Sequence, residues 1–462
     1  MRSTIGSLGA TCALAAALVG AADPKVEPAP PLTRLFIQDL KAATVNWADA
    51  RVGPGGKLAL DPLAPVPGFK KLDPAKQKLV QMRAAGGLVC VGVRDDADGA
   101  HESGWVLVHT GVGHFDHGNH SHWRYKQKPA ALDARLDKAQ GNPAHLYLYG
   151  GAFYLANDKL NGYTRLDPAR WVGDDGKPVA SKGEPQFLVG GGNHITLAVV
   201  GGKVGYSCWI DGGGPNKGRV DVTPVSGKAK SEPAYSFHLP SGVIHGATAA
   251  ADKVFFAPSA GVCWVTADTG LKLKGEQVQV RHIDLGTEGD KPRRTGAFET
   301  LGTHVLFVTG KDKPELVVLN ATAAEPKPVF VPLAAKPGTT AVTPVAVKTV
   351  DGKPVALVFH DRANGSDAED ALEVIALDPN GDGDFADAKA LKVLKVGRSA
   401  VDGHFGHHDV AFDADGRFAF VTNPGDGTIA ALSLKTFEVV GTFAVGGTPG
   451  ALVARGGEDH DD

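Results

Sequence analysis

The chain has 462 residues, a formal net charge of −3 and 21% charged residues. That balance carries neither the basic footprint of a nucleic-acid-binding protein nor a polybasic membrane patch. The 60 glycines and 30 prolines are spread between short apolar runs, a pattern of many strands joined by turns.

Met1-Arg2 is followed by a run of apolar and small residues through Val19, ending at Gly20-Ala21-Ala22. A short basic start, an apolar middle and a small-residue exit predict a signal peptide over 1–22, cleaved near Ala22. The mature protein is then periplasmic or secreted, with no membrane span after cleavage. Residues 23–33 are a Pro-rich lead-in, 34–455 a single domain and 456–462 an acidic tail. Beyond Cys12 the cysteines are Cys90, Cys208 and Cys263, which an oxidising compartment allows either as one disulfide plus a thiol or as free buried thiols. No Cys-x-x-Cys-His is present, which removes covalent c-type haem.

From Arg34 onward one unit returns: a short strand, a Gly or Asp-Gly turn, a Val/Phe/Tyr-rich strand, another turn and a third strand. It begins at His145, at His194 49 residues later and at His245 51 residues after that. Further starts fall near residues 79, 297, 345 and 408, the last step lengthened by a polar insertion at 361–390. Several strands repeated at a fixed period of about 40–50 residues predict an all-β propeller. Thr448–Ala454 reads as an innermost strand without a blade, and Leu35–Gln38 as strands lacking one. Pairing the two closes the ring and removes its free edge. Eight blades result, with seven as the alternative.

Histidines stand out against this frame. His114, His117, His120 and His122, together with Asp116, fall within nine residues, out of 17 histidines in the chain. Imidazole and carboxylate are common metal ligands, so the stretch reads as a metal-capturing loop between the second and third blades, long enough to fold over the channel. His145, His194, His245 and His408 share one phase, the start of a blade's first strand, and so point at one axial mouth, with Asn193, His404 and His407 on its rim. Two or three of the axial histidines with a loop histidine or Asp116 would give tetrahedral N/O ligation suited to Zn²⁺, although Cu²⁺ or Ni²⁺ would bind the same donors. Asp378, Asn380 and Asp382, followed by Gly383, resemble the first half of a Ca²⁺ loop, but Lys389 stands where the bidentate acid belongs.

The chain resembles the secreted β-propeller zinc metallochaperones encoded with Azt-type zinc ABC importers. The resemblance rests on Arg34-Leu-Phe-Ile-Gln-Asp39, the His114–His122 loop, Pro143-Ala144-His145-Leu146, Gly242-Val243-Ile244-His245-Gly246 and Gly406-His407-His408-Asp409-Val410-Ala411-Phe412. Phe420-Val421-Thr422-Asn423 is shared more widely, with propellers of the Tyr-Val-Thr-Asn repeat type. The resemblance implies a monomeric, non-enzymatic carrier that delivers Zn²⁺ to the periplasmic solute-binding protein of a zinc importer. The residues leave two other readings open: a propeller hydrolase or lactonase that uses the metal to activate water, and a propeller interaction scaffold.

Overall fold

The computed structural model describes residues 29–97, 99–116, 121–173, 175–180, 183–227, 231–334 and 336–458. They form an eight-bladed β-propeller, each blade an antiparallel sheet whose strands run outward in order from the axis. Blade 1 combines the two ends of the chain: Pro449–Arg455 is innermost, followed by Pro31–Asp39, Thr44–Val52 and Leu58–Leu60. The innermost strands of blades 2 to 8 are Gln77–Ala85, Pro143–Tyr149, Leu197–Val200, Ala247–Ala250, Glu299–Leu301, Val345–Lys348 and Val410–Phe412. These lie within a few residues of the starts that the repeat period predicts.

The sequence of each strand follows its distance from the axis. A second strand is covered on both faces by neighbouring blades, so it is an almost unbroken apolar run. Leu88–Asp95 (LVCVGVRD) is buried at every position but Arg94. An outermost strand faces solvent, and Lys389–Lys395 (KALKVLK) is exposed at all but one position. The apolar core is therefore divided into eight clusters, one at each junction between adjacent blades. Phe36 and Val45 of blade 1 pack on Val89 and Val91 of blade 2, for example, while Leu35 and Ile37 pack on Phe420 and Ile429 of blade 8.

Ring closure is a regular antiparallel pairing of Arg34 with Arg455, Leu35 with Ala454, Phe36 with Val453 and Ile37 with Leu452. Beside it Arg34, only 3% exposed, donates from Nε and Nη2 to the two oxygens of Asp49, at 2.7 and 2.9 Å. Its Nη1 donates to the carbonyls of Thr110 and Gln127, at 2.9 and 2.7 Å, and the guanidinium lies over the Trp47 ring. Gly111 (φ +71°) lets it in, since a Cβ there would stand 2.8 Å from Nη1. This fork ties the connection carrying the His-rich stretch to the closing blade.

Two expectations change. Residues 361–390 are not an insertion between blades: they contain Ala371–Ala376, the third strand of blade 7, whose apolar run is short and flanked by acidic turns. The His-rich stretch lies within blade 2, between its third strand Ser103–His109 and its outermost strand Ala130–Asp137, as a hairpin of Gly113–Asp116 and Ser121–Arg124. The cysteines Cys90, Cys208 and Cys263 are buried free thiols.

Replacing Arg34 with alanine removes both short hydrogen bonds to the buried Asp49 and leaves it only Arg51 Nη2, at 3.6 Å, and is expected to cost about 3 kcal/mol. The Arg34→Ala/Asp49→Ala double variant should lose less than Arg34→Ala alone. Chemical denaturation of the three proteins checks this.

Candidate metal centre

Four imidazoles meet at one mouth of the axial channel. His145 is the third residue of the innermost strand of blade 3. His194 and His245 lie just before the innermost strands of blades 4 and 5, in turns opened by Asn193 (φ 64°) and Val243 (φ 55°). The fourth is His404, on a loop before blade 8 that Gly403 and Gly406 bend at positive φ and that Ala400 closes by donating to the Gly406 carbonyl at 2.8 Å.

The ring centroids of His145 and His194 are 4.6 Å apart, those of His194 and His245 5.1 Å, and those of His245 and His404 6.0 Å. His145 Nε2 and His194 Nε2 face each other at 2.9 Å. A tetrahedral ion with ligands at about 2.0–2.1 Å would hold two nitrogens about 3.3 Å apart, so the pair is set close to ligating distance. The opposite ring edges have their own partners. His194 Nδ1 stands 3.3 Å from Asp158 Oδ2, and His245 Nδ1 lies 3.1 Å from the Gly296 carbonyl. Donation from Nδ1 leaves an Nε2 lone pair free for a cation, the arrangement that orients metal-binding histidines. Burial and the neighbouring imidazoles hold His145 well below the usual histidine range, and burial with the same neighbours lowers His245 and His404. All three are neutral, and so ready to ligate, at neutral pH.

His408 is not in this group. Its Nδ1 faces Asp361 Oδ1 at 2.6 Å and its Nε2 the Gly397 carbonyl at 3.0 Å, with the ring stacked on Phe359. His407 takes the other Asp361 oxygen at 2.7 Å. Asp361, Asp370 and His408 form the group of potential ligands among the described residues whose donor atoms all lie within 4.8 Å of one another. That group is already satisfied internally, since Asp370 accepts from Arg362 and Ser399. The histidine quartet is wider and its nitrogens less engaged.

The His-rich hairpin stands at the other end of the channel. In blade 2 the mouth end is marked by Lys78 opposite Arg94, whereas the hairpin leaves from His109, which pairs with Leu88 at the far end of the same sheet. The His114 ring lies tilted against Trp123 with centroids 4.3 Å apart, Trp123 packs under Arg455, and the Tyr125 hydroxyl lies within hydrogen-bond distance of the carbonyls of Leu32 and Gly457. The described strands of the hairpin therefore stand away from the quartet and not over it. His122 pairs with Phe115 across the hairpin, while His117, His120 and the Asp116 side chain lie outside the described residues. Asp378, Asn380 and Asp382 form an exposed turn whose side-chain oxygens accept from the backbone of Gly381, Asp382, Gly383 and Asp384.

The quartet separates two spaces. Outside it lies a mouth of about 870 Å³, and inside it an axial chamber of about 610 Å³; His145, His245 and His404 line both. Arg83, Tyr147, Tyr149, Glu299 and Asp409 reach the inner chamber. Sequence reading brought together His145, His194 and His245 and placed His404 on the rim. Asp158 and the Gly296 carbonyl carried no signal, because each meets its histidine only after blades fold side by side.

Burial pushes the Glu299 carboxyl up to about 7, against a usual value of 4.5. The unfolded chain loses that proton first, so Glu299 reduces stability progressively as pH rises from about 4.5 to 7, and the deficit stays constant above. Glu299→Gln is expected to match the parent near pH 4 and exceed it at pH 8. Denaturation midpoints at the two pH values decide it.

No family model matches the chain, and no curated protein matches it. Among solved structures it is similar to AztD from Citrobacter koseri, in two structures, one of them the apo form. They share 17% and 16% identity with it, cover 94% of this chain and 100% of that one, and have a TM-score of 0.61. It is also similar to the dihydro-haem d1 dehydrogenase NirN in complex with DHE, at 14% identity, 94% and 78% coverage and a TM-score of 0.53. At these identities the likeness is one of fold.

Proposed function

We propose that the chain is an exported zinc-binding propeller that holds Zn²⁺ as cargo at His145, His194, His245 and His404 and passes it to the solute-binding protein of a zinc importer. The observation that carries this reading is the convergence of His145 Nε2 and His194 Nε2 while His194 and His245 direct Nδ1 at acceptors of their own. The motif resemblance to the Azt-type metallochaperones and the fold likeness to AztD support it over nearly the whole chain. The signal-peptide reading of 1–22 concerns residues outside those described, and no helix among the described residues is long and apolar enough to cross a membrane.

A mouth open to solvent suits exchange of ligands one at a time with a receiving protein. It suits hydrolysis less, because water activation asks for a free base beside the metal. Asp158, the carboxylate in contact with the quartet, is occupied by His194 Nδ1 and the Ile195 amide. The hairpin with His114 and His122 on the opposite face is, on this reading, a separate capture point.

Purified mature protein is expected to bind Zn²⁺ at the quartet, with thermal stability rising by about 2.7 kcal/mol at a free concentration a hundredfold above Kd. His145→Ala/His194→Ala/His245→Ala should lose that equivalent and the stabilisation, read by metal analysis and calorimetry. Zinc bound equally by the parent and the triple variant would overturn the site. His408→Ala is expected to keep zinc affinity within about threefold while lowering stability, because it breaks a buried hydrogen-bonded pair with Asp361.

A further inference from the structure

The mouth carries cations where a metal site alone would not want them. Lys78 and Arg94 stand directly opposite each other in the innermost strand pair of blade 2. Like charges at such a position are destabilising. Lys41, from the turn after Pro31–Asp39, lines the same space. Lys78 has Asp96 at 3.9 Å, but no carboxylate or carbonyl among the described residues meets the half-buried Arg94 guanidinium. The space these groups share with the histidines, about 870 Å³, is far larger than an ion requires.

The quartet, moreover, offers only neutral nitrogen donors. A dication held there keeps both its charges beside Arg94, which lines the same mouth. Asp96 and Asp402 on the mouth and Asp158 behind His194 offset Lys41, Lys78 and Arg94 but leave the dication itself unbalanced, and an anion between it and Arg94 reduces that excess.

We propose that the mouth binds a small planar oxyanion, a carboxylate or carbonate, together with the metal: one oxygen joins the four imidazoles as a fifth ligand of the ion and the other accepts from Arg94, with Lys78 and Lys41 alongside. This rests on the quartet's being the metal site. A two-oxygen anion can give one oxygen to the guanidinium and the other to the metal, which chloride cannot do. The anion lowers the net positive charge of the site and is the ligand whose departure opens the ion to a receiving protein.

Cobalt(II) serves as the probe, because its visible spectrum reports the ligand set while titration reports affinity. In the full mature protein, millimolar acetate or bicarbonate is expected to shift the cobalt bands and tighten binding about tenfold relative to chloride, a gain of about 1.4 kcal/mol. Bicarbonate acting alone would identify carbonate as the anion, and both acting would identify carboxylates generally. Arg94→Gln should lose the shift and the tightening while binding cobalt in chloride at least as well as the parent, and Arg94→Lys should keep part of both. An anion effect absent from the parent, or undiminished in Arg94→Gln/Lys78→Gln, overturns the proposal while leaving the metal site standing. Cobalt binding that survives His145→Ala/His194→Ala overturns the metal site, and the anion proposal with it.

Discussion

Everything in this molecule depends on one antiparallel pairing, Arg34–Ile37 against Leu452–Arg455. Each blade buries its faces only against its neighbours, so a ring with a gap would expose two apolar faces at once. The pairing closes the gap by building blade 1 from both ends of the chain. It also completes two of the eight apolar junctions, those of blade 1 with blades 2 and 8. The Arg34 fork lies on the same strand, so the base of the His-rich hairpin is held by the element that closes the ring.

The histidine quartet depends on that closure indirectly. Its histidines come from blades 3, 4 and 5 and from the loop entering blade 8, and none is near another in sequence except through the repeat. A closed ring turns equivalent positions into neighbours around an axis. The acceptors behind the rings come from neighbouring units too: Asp158 follows the second strand of blade 3 and serves His194 of blade 4, and Gly296 precedes blade 6 and serves His245 of blade 5. Orientation of these two imidazoles is thus a property of a blade junction.

The fold was legible because a propeller writes itself as a period. Covered strands are apolar throughout, turns are marked by glycine, and His145, His194 and His245 recur about fifty residues apart. The site was legible only as far as that period extends. His408 keeps the phase but is drawn away by Asp361, and His404 takes the fourth place through a Gly-bounded loop with no repeat signature. The hairpin's residues were evident as potential ligands, but its face was not, since that depends on which end of a strand pair it leaves. Ala371–Ala376 was hidden for a related reason: acidic turns on either side outweighed six residues of strand.

Because the apolar core is parcelled into eight junctions, the axis does little to hold the fold together. Apart from contacts such as those of His194 with Asp158 and His245 with Gly296, side chains projecting into the channel lie outside these clusters, and replacing them leaves the apolar junctions intact. A ring of this kind can therefore change its ligand while keeping its architecture, with affinity and folding free to vary along separate sets of positions. Such a separation lets one scaffold be given a different axial site by a few substitutions around a single mouth.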